Sequence, residues 1–130
     1  ADPGNNNTYR PEDTQNFTLL LAEFRRQLDD YGAQTGKHYL LTIATGAGED
    51  KYTKIEMANI HQYLDWINLM TYDYYGAWAT TGPTNFHAQL YNTPNNPATG
   101  ITNTYNGDHA VTGFLAAGCA CEQASTGCAI

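Results

Sequence analysis

Residues 70–78 combine side chains that could bind a sugar and act on it, and they read MTYDYYGAW. The phenol of Tyr72 and the carboxylate of Asp73 are adjacent, and the indole of Trp78 follows a glycine that allows a turn. Sugars are bound through hydrogen bonds to their hydroxyl and amide groups and through an apolar platform, which an aromatic face supplies. The spacing alone leaves a structural interpretation equally open, in which Asp73 caps the next element and Trp78 packs beneath the loop.

Two apolar runs predict the strands that would position this segment. Residues 65–72 and residues 39–44 are short and rich in apolar side chains, as expected of strands that are buried on both faces of a sheet. Side chains alternate along a strand, so Met70 and Tyr72 would point to the same face. Because α/β proteins place their sites at the carboxyl ends of parallel strands, Tyr72 and Asp73 would lie at the mouth of the sheet.

Helical patterns surround the two strands. Apolar residues recur at helical spacing over residues 11–31, and Gly32 and Gly36 supply a stop. A weaker helical pattern covers residues 51–64, and a short helix is predicted over residues 107–117. Strands that alternate with helices are typical of βα units, so the sequence predicts an α/β fold with two adjacent, parallel strands.

The longest stretch without a periodic pattern runs from residue 74 to residue 105 and is rich in proline, asparagine and glycine. Loops longer than about 12–15 residues in compact domains are usually functional or disordered, so this loop is a second indication of a site. Residues 119–130 have no clear periodicity and carry all three cysteines. We treat residues 119–130 as a tail of uncertain origin and residues 1–118 as the structural unit.

Composition and charge exclude several classes of function. The 130 residues fit one domain, and 13 acidic against 6 basic residues give a net charge of -7. Nucleic acids and anionic membranes need a basic patch, so neither is an expected partner, and no apolar run is long enough to cross a bilayer. The four histidines, His87 among them, lack metal-ligand spacing and are predicted to be surface or packing residues, so neither a metal nor a cofactor is expected.

Several segments together resemble the family 18 glycoside hydrolases, above all the chitinases of bacterial type. Residues 65–73, followed by Gly76-Ala77-Trp78, are similar to the sixth-strand motif M-x-Y-D of that family. Residues 10–21 resemble the helix after its fourth strand, residues 39–44 its fifth strand, and residues 87–91 the loop after its sixth strand. The resembling segments agree in order and cover nearly the whole chain.

The resemblance implies a fold, a substrate and roles for individual residues. The family's fold is a (β/α)8 TIM barrel, and its substrate is chitin or a chito-oligosaccharide, a chain of β-linked N-acetylglucosamine. Its mechanism is retaining and substrate-assisted, because the N-acetyl oxygen of the sugar itself attacks the anomeric carbon. By resemblance, Tyr72 and Asp73 would hold and polarise the N-acetyl group as catalytic residues. Met70 and Tyr75 would bind the substrate, Met70 at the floor of the site, and Trp78 would stack on a sugar on the leaving-group side.

One part of the family's pattern does not occur in the sequence. The family's catalytic acid is a glutamate that ends the fourth-strand motif D-x-x-D-x-D-x-E, and none of the glutamates here stands in that context. We therefore expect residues 1–118 to be an internal piece of the barrel, with strands five and six and their flanking helices, inactive on its own. The resemblance implies a secreted protein without a cofactor. Two alternatives stay open: a chitin-binding lectin of the same fold, and an endo-N-acetylglucosaminidase that acts on N-linked glycans.

Overall fold

The first element is a long helix, α1 (Asp13–Thr35), in a computed structural model that describes residues 8–119. Asp13 lies in the first turn, where a carboxylate is favourable, and accepts a hydrogen bond from the backbone N–H of Arg10 at 2.8 Å. The helix ends at Gly36, whose φ of 67° is left-handed and whose N–H donates to the carbonyl of Gly32. The helix predicted over residues 11–31 is thus confirmed, and it continues to Thr35.

Gly32 is one of the two glycines that the sequence predicts as a stop, but it lies inside α1 and is buried. A Cβ at this position would come within 2.4 Å of the carbonyl oxygen of Lys37. Glycine at position 32 therefore allows the chain that follows the helix to pack closely against it. The stop is supplied by Gly36 alone, because the left-handed conformation there favours glycine.

Two parallel strands form the sheet of the described residues, β1 (Thr42–Gly46) and β2 (Trp66–Met70). The register places Gly46 opposite Met70, so the two strands are adjacent and end level with each other. The prediction of two adjacent, parallel strands is therefore confirmed.

The observed bounds of both strands differ from the predicted bounds, because of hydrogen bonds to a side chain and in a turn. β1 begins later because the N–H of Leu41 donates to the carboxylate of Asp65, at 2.6 Å, rather than to a strand backbone. β2 ends at Met70, two residues before the predicted end, because the N–H of Thr71 turns back to the carbonyl of Leu69. The segment after Met70 is consequently a loop rather than the end of a strand.

The chain between the strands is not one helix, although a helical pattern covers residues 51–64. It forms α2 (Glu49–Tyr52) and α3 (Met57–Ile60), and a 3₁₀ turn follows α3. Thr53 and Ile55 lie in the break, and their β-branched side chains lower helix propensity. Both short helices supply buried side chains to the core, so the break does not interrupt the packing.

An irregular stretch, residues 71–106, separates β2 from the last helix, α4 (Gly107–Ala116), and contains a 3₁₀ turn at Gly100–Thr104. Asn106 caps α4, because its side-chain oxygen accepts the N–H of His109 at 2.8 Å. The predicted long loop and the predicted final helix are both confirmed. Within residues 8–119, no helix has the length and apolar character needed to cross a membrane.

The hydrophobic core lies between the helices and one face of the sheet. Ile67 of β2 is 1% exposed and belongs to a cluster of side chains from α1, α2, α3 and α4. The buried members of this cluster are Leu21, Tyr52, Met57, Ile60, Leu64, Ile67, Phe114 and Cys119. Burial of one large apolar side chain stabilises a fold by about 1.5–3 kcal/mol, so this cluster fixes β2 against the helices.

Cys119, the first residue of the predicted tail, packs in this core. It is 1% exposed, and its N–H donates to the carbonyl of Phe114 at 3.2 Å. Cys119 therefore packs with the structural unit predicted over residues 1–118. The rest of the predicted tail, residues 120–130, lies outside the described residues.

The opposite face of the sheet is uncovered in the described part of the chain. Ala44 and Asn68 are register partners, and both are exposed. The side-chain amide of Asn68 donates to the carbonyl of Ile43 at 3.1 Å, a polar contact on the surface of the sheet. The prediction that the strands are buried on both faces is therefore wrong for these residues, because the helices cover only the face that carries Ile67.

Candidate active site

The carboxyl ends of β1 and β2 open into a cavity of about 210 Å³. Gly46 and Met70, the last residues of the two strands, line this cavity. Tyr72 and Asp73, the predicted catalytic residues, line it as well, and Tyr105 reaches it from the long loop. The structure thus brings three of the predicted site residues, Met70, Tyr72 and Asp73, to one cavity.

Tyr72 and Asp73 are both accessible to a ligand. Tyr72 is 51% exposed, and the side chain of Asp73 is 66% exposed. Asp73 has a φ of 57° and is the only non-glycine residue with a left-handed backbone within residues 8–119. This conformation costs most L-residues about 1–2 kcal/mol, although aspartate adopts it more readily than most. Strain of this kind is typical of functional sites, where the surrounding structure holds it in place.

The structural interpretation, with Asp73 as a helix cap and Trp78 as a packing residue, is wrong. The next helical segment after Asp73 begins at Gly100, so Asp73 caps no helix among the described residues. Trp78 is 64% exposed rather than packed beneath the loop. Its ring lies against Gly76, where a Cβ would come within 2.5 Å of the ring atom Cζ3. Gly76 therefore permits a close approach that leaves most of the indole open to solvent.

Tyr75 and Trp78, the other two residues predicted to bind the substrate, are not among the residues that line the cavity. The hydroxyl of Tyr75 donates to the carbonyl of Pro83 at 2.5 Å, which ties the start of the long loop to its middle. The hydroxyl of Tyr75 therefore has no hydrogen left to donate to a substrate, although its oxygen can still accept one. The binding roles of both residues stay predictions.

A buried tyrosine contact supports the cavity. Tyr74 is 8% exposed, and its ring centroid lies 5.6 Å from that of Tyr105, whose hydroxyl donates to the Asp50 carboxylate at 2.6 Å. Burial alone would raise the pKa of Asp50, but hydrogen bonds from Tyr105 and Lys51 outweigh it and lower this pKa. Burial raises the pKa of Tyr74 to about 12, so its hydroxyl is neutral at physiological pH. These contacts join α2 to the long loop.

His87 contacts the site, and the prediction from sequence missed it. Its Nε2 lies 3.2 Å from the carboxylate of Asp73 and 3.3 Å from the backbone nitrogen of the same residue. The sequence predicts that His87 is a surface or packing residue because it lacks metal-ligand spacing, a criterion that does not detect a carboxylate 14 residues away. The signal that could have found it is the segment of residues 87–91, which resembles the family's loop after the sixth strand.

The polar groups that line the cavity are the carboxylate of Asp73, phenols and the ammonium of Lys51, and the imidazole of His87 lies beside Asp73. Within residues 8–119, no group of three or more His, Cys, Asp or Glu side chains could hold a metal ion. The phenol of Tyr72 can donate a hydrogen bond to an amide oxygen, and the carboxylate of Asp73 can stabilise positive charge nearby. The described residues thus offer groups that orient and polarise a substrate.

Comparison with known proteins gives related sequences along nearly the whole chain. The family described as "Glycosyl hydrolases family 18" matches residues 2–129. Chitinase A1 from Niallia circulans is 46% identical over 114 residues, which are 86% of this chain and 16% of that protein. Chitinase 1 from Aphanocladium album is 43% identical over 106 residues, 80% of this chain and 24% of that protein. The chain therefore spans less than a quarter of the length of these two relatives.

Solved structures resemble the fold as well. The chitinase ChiA74 from Bacillus thuringiensis superposes with a TM-score of 0.82 at 42% identity, over 92% of this chain and 18% of that chain. A variant of the class V chitinase from Nicotiana tobaccum, in complex with NAG4, has a TM-score of 0.72 at 28% identity, over 88% of this chain and 31% of that chain. These neighbours imply a TIM-barrel-type fold. The chain belongs to family 18 of the glycosyl hydrolases.

Proposed function

We propose that the protein to which this chain belongs hydrolyses the β-1,4 linkages between N-acetylglucosamine units in chitin or chito-oligosaccharides. The observation that carries this proposal is the placement of Tyr72 and Asp73, both exposed, over one cavity at the carboxyl edge of a parallel sheet. The chitinase names of the relatives, and the NAG4 complex of one solved neighbour, support this class of substrate.

In this proposal, Tyr72 and Asp73 act on the N-acetyl group of the sugar whose linkage is cleaved. In a retaining, substrate-assisted reaction the N-acetyl oxygen attacks the anomeric carbon, and positive charge develops on the amide nitrogen. The carboxylate of Asp73 stabilises that charge, and the hydroxyl of Tyr72 donates to the amide oxygen and orients it. Both groups are exposed enough to reach a sugar above the cavity.

Three further residues bind the sugar chain in this proposal. Met70 forms the floor of the site, in agreement with its place at the end of β2 and in the lining of the cavity. Trp78, with most of its indole exposed, stacks on a sugar on the leaving-group side. Tyr75 contributes the face of its ring, because its hydroxyl is bonded to Pro83.

The proposed architecture is a TIM barrel in which β1 and β2 are the fifth and sixth strands. In such a barrel one face of each strand packs against helices and the other face points into the barrel. The covered face with Ile67 and the exposed face with Ala44 and Asn68 agree with that division. The cavity then lies at the carboxyl face of the barrel, where enzymes of this fold place their active sites.

The proposal needs a carboxylic acid that protonates the leaving oxygen, and Asp73 is the only residue with a carboxyl group in the lining of the described cavity. No D-x-x-D-x-D-x-E occurs among the 130 residues, so the catalytic acid would come from another part of the protein. The chain by itself is therefore proposed to be inactive. A secreted protein without a cofactor is part of the same proposal, since a polymeric substrate does not enter cells.

The experiment that tests the proposal is hydrolysis of a chromogenic chitobioside by the full-length protein, with binding of chito-oligosaccharides measured in parallel by calorimetry. Turnover that Asp73→Asn reduces would support the proposed activity. Binding without turnover would instead identify a chitin-binding lectin of the same fold. Release of N-linked glycans from a glycoprotein, without hydrolysis of the chitobioside, would identify an endo-N-acetylglucosaminidase.

A further inference from the structure

His87 contacts three consecutive residues at the edge of the cavity. Its backbone carbonyl accepts the N–H of Tyr74 at 2.9 Å, and its Nδ1 lies 3.1 Å from the carbonyl oxygen of Tyr75. Its Nε2 faces Asp73 twice, at 3.3 Å from the backbone nitrogen and at 3.2 Å from the carboxylate oxygen Oδ1. A change of side chain leaves the backbone bond to Tyr74 in place and removes only the contacts of the ring.

The contacts of the ring determine which nitrogen carries a proton. A carbonyl oxygen only accepts hydrogen bonds, so Nδ1 carries the hydrogen that it donates to Tyr75. Nε2 then accepts the N–H of Asp73 while the ring is neutral, and donates to the carboxylate of Asp73 when the ring is protonated. In both states Nε2 bonds to Asp73, so His87 holds this residue whether or not the imidazole is charged.

We propose that His87 is the positioning residue of the site, which holds Asp73, through its backbone N–H or its carboxylate, in the orientation that the N-acetyl group requires. This inference rests on the proposed function and deepens it, since His87 itself touches no reacting atom. The left-handed backbone of Asp73, with a φ of 57°, needs external support, and Nε2 of His87 supplies it through either the backbone N–H or the carboxylate of this residue. In the described part of the chain, no other side chain pairs with the carboxylate of Asp73.

The exposure of the His87 side chain distinguishes a positioning role from a role in packing. Its side chain is 57% exposed, so little apolar surface is lost when it is replaced. Two other histidines form pairs with carboxylates, His38 with Asp65 and His109 with Glu49. None of these four residues lines the cavity, so His38 provides a matched control for the loss of a histidine–carboxylate pair.

Glutamine and asparagine variants of His87 distinguish the contacts of its two ring nitrogens, because their side-chain amides lie at different distances from the backbone. The amide of glutamine reaches the place of Nε2 and can bond to Asp73, whereas that of asparagine reaches only the place of Nδ1. We expect His87→Asn to lower kcat on chito-oligosaccharides about 10–100-fold, with KM changed by less than about threefold, because misplacement of a catalytic group acts on the rate. His87→Gln should restore most of that loss, and His38→Asn should leave both constants unchanged.

The kinetics are measured in the full-length protein, and the parent is measured first. If the parent is active and the asparagine and glutamine variants of His87 have the same kcat, the positioning role is overturned while the proposed function stands. If the parent hydrolyses no chito-oligosaccharide, the proposed function fails, and nitrogen-15 NMR of labelled histidines decides whether His87 holds Asp73. A proton on Nδ1 and ring shifts that respond to Asp73→Asn would support the contact. A neutral ring with its proton on Nε2 would overturn it.

Discussion

Gly46 lies opposite Met70 in the parallel register, and each is the last residue of its strand. Both strands therefore end at the same edge of the sheet, and residues that follow each strand line one cavity. Asp73 follows Met70 closely in the sequence, so the end of β2 brings the carboxylate to this edge of the sheet. Sites of this kind combine a fixed scaffold with side chains supplied by loops.

We expect Asp73→Asn to lower kcat more than it raises KM. Asparagine adopts the left-handed backbone as aspartate does and has nearly the same shape, so the change removes mainly the negative charge. Electrostatic stabilisation of a transition state by one group is commonly worth about 10²–10³-fold in rate. Steady-state kinetics of the full-length protein would measure this loss. A kcat within about twofold of the parent, well under 1 kcal/mol, would mean that Asp73 has no catalytic role.

Tyr72→Phe should likewise lower kcat with a smaller effect on KM. The change removes the hydroxyl that is proposed to orient the N-acetyl oxygen and keeps the ring, which is 51% exposed and lines the cavity. Loss of one such donor costs about 10²–10³-fold when it acts in the transition state. The same kinetic assay applies, with Tyr91→Phe as a control, since Tyr91 is exposed and does not line the cavity. Equal effects of the two changes would contradict the role of Tyr72.

Gly76→Ala should weaken binding of long chito-oligosaccharides in the same direction as Trp78→Ala. A Cβ at Gly76 would lie 2.5 Å from Cζ3 and 2.7 Å from Cη2 of the indole, so the ring must move. Stacking contributes before and during the reaction alike, so KM for long chains should rise while kcat changes little. Calorimetric titration with chains of increasing length would show it. An unchanged affinity in both variants would exclude Trp78 from substrate binding.

Gly113→Ala should destabilise the protein by about 1–3 kcal/mol, the usual cost of an overpacked core. A Cβ at Gly113 of α4 would lie 2.3 Å from the hydroxyl oxygen of Tyr52, which is 6% exposed and packs on Phe114. Removal of that hydroxyl by Tyr52→Phe in the same protein should recover part of the loss. Denaturant unfolding of the single and double variants measures both effects, with the exposed Thr112→Ala as the control. If the parent and Gly113→Ala are equally stable, α4 can move away from Tyr52 without cost, and the prediction is wrong.

The pKa of Asp65 predicts a pH dependence of stability. Burial alone would raise this pKa, but hydrogen bonds from His38 and from the N–H of Leu41 outweigh it, and the charge of Arg25 adds to them, so the pKa is lowered. A carboxylate with a lowered pKa stabilises the folded protein above its unfolded-state pKa of about 3.9, and this stabilisation is lost as the pH falls through the folded-state pKa.

Asp65→Asn should therefore lower the free energy of unfolding near neutral pH. The difference from the parent should shrink below a pH of about 4, because the unfolded parent binds a proton at that pH and the folded parent binds it at a still lower pH. Urea unfolding of the two proteins over a series of pH values measures this difference. A difference that is the same at every pH would assign the effect of Asp65 to shape rather than to charge.

Local patterns in the sequence predict the elements, and contacts between distant residues determine their bounds. The apolar spacing of α1 and α4 is a local signal, so both helices are found where the sequence predicts them. The start of β1 depends on the bond from Leu41 to the side chain of Asp65, 24 residues away, which no periodic pattern shows. The strands are half-covered rather than enclosed, because apolar content alone does not reveal on which faces helices pack.

The features of the candidate site are likewise of two kinds, those that local sequence predicts and those that depend on contacts between distant residues. Tyr72 and Asp73 follow a predicted strand directly, so their place at the edge of the sheet can be deduced from the chain order. The contact between His87 and Asp73 exists only because the long loop returns to the strand end. The left-handed backbone of Asp73 is equally hidden, since aspartate adopts several conformations and its sequence neighbours do not select this one.

The strained backbone of Asp73 determines which substitution is favoured at this position when catalytic activity is no longer under selection. Glycine takes up a left-handed backbone with no steric penalty, so replacement of Asp73 by glycine relieves strain while it removes the carboxylate. Gain of stability and loss of turnover then coincide in one substitution, and mutation–selection balance no longer opposes it. The exposed indole of Trp78 stays untouched by that change. Under the proposed function, descendants of such a protein would still bind sugars through Trp78 and would no longer hydrolyse them.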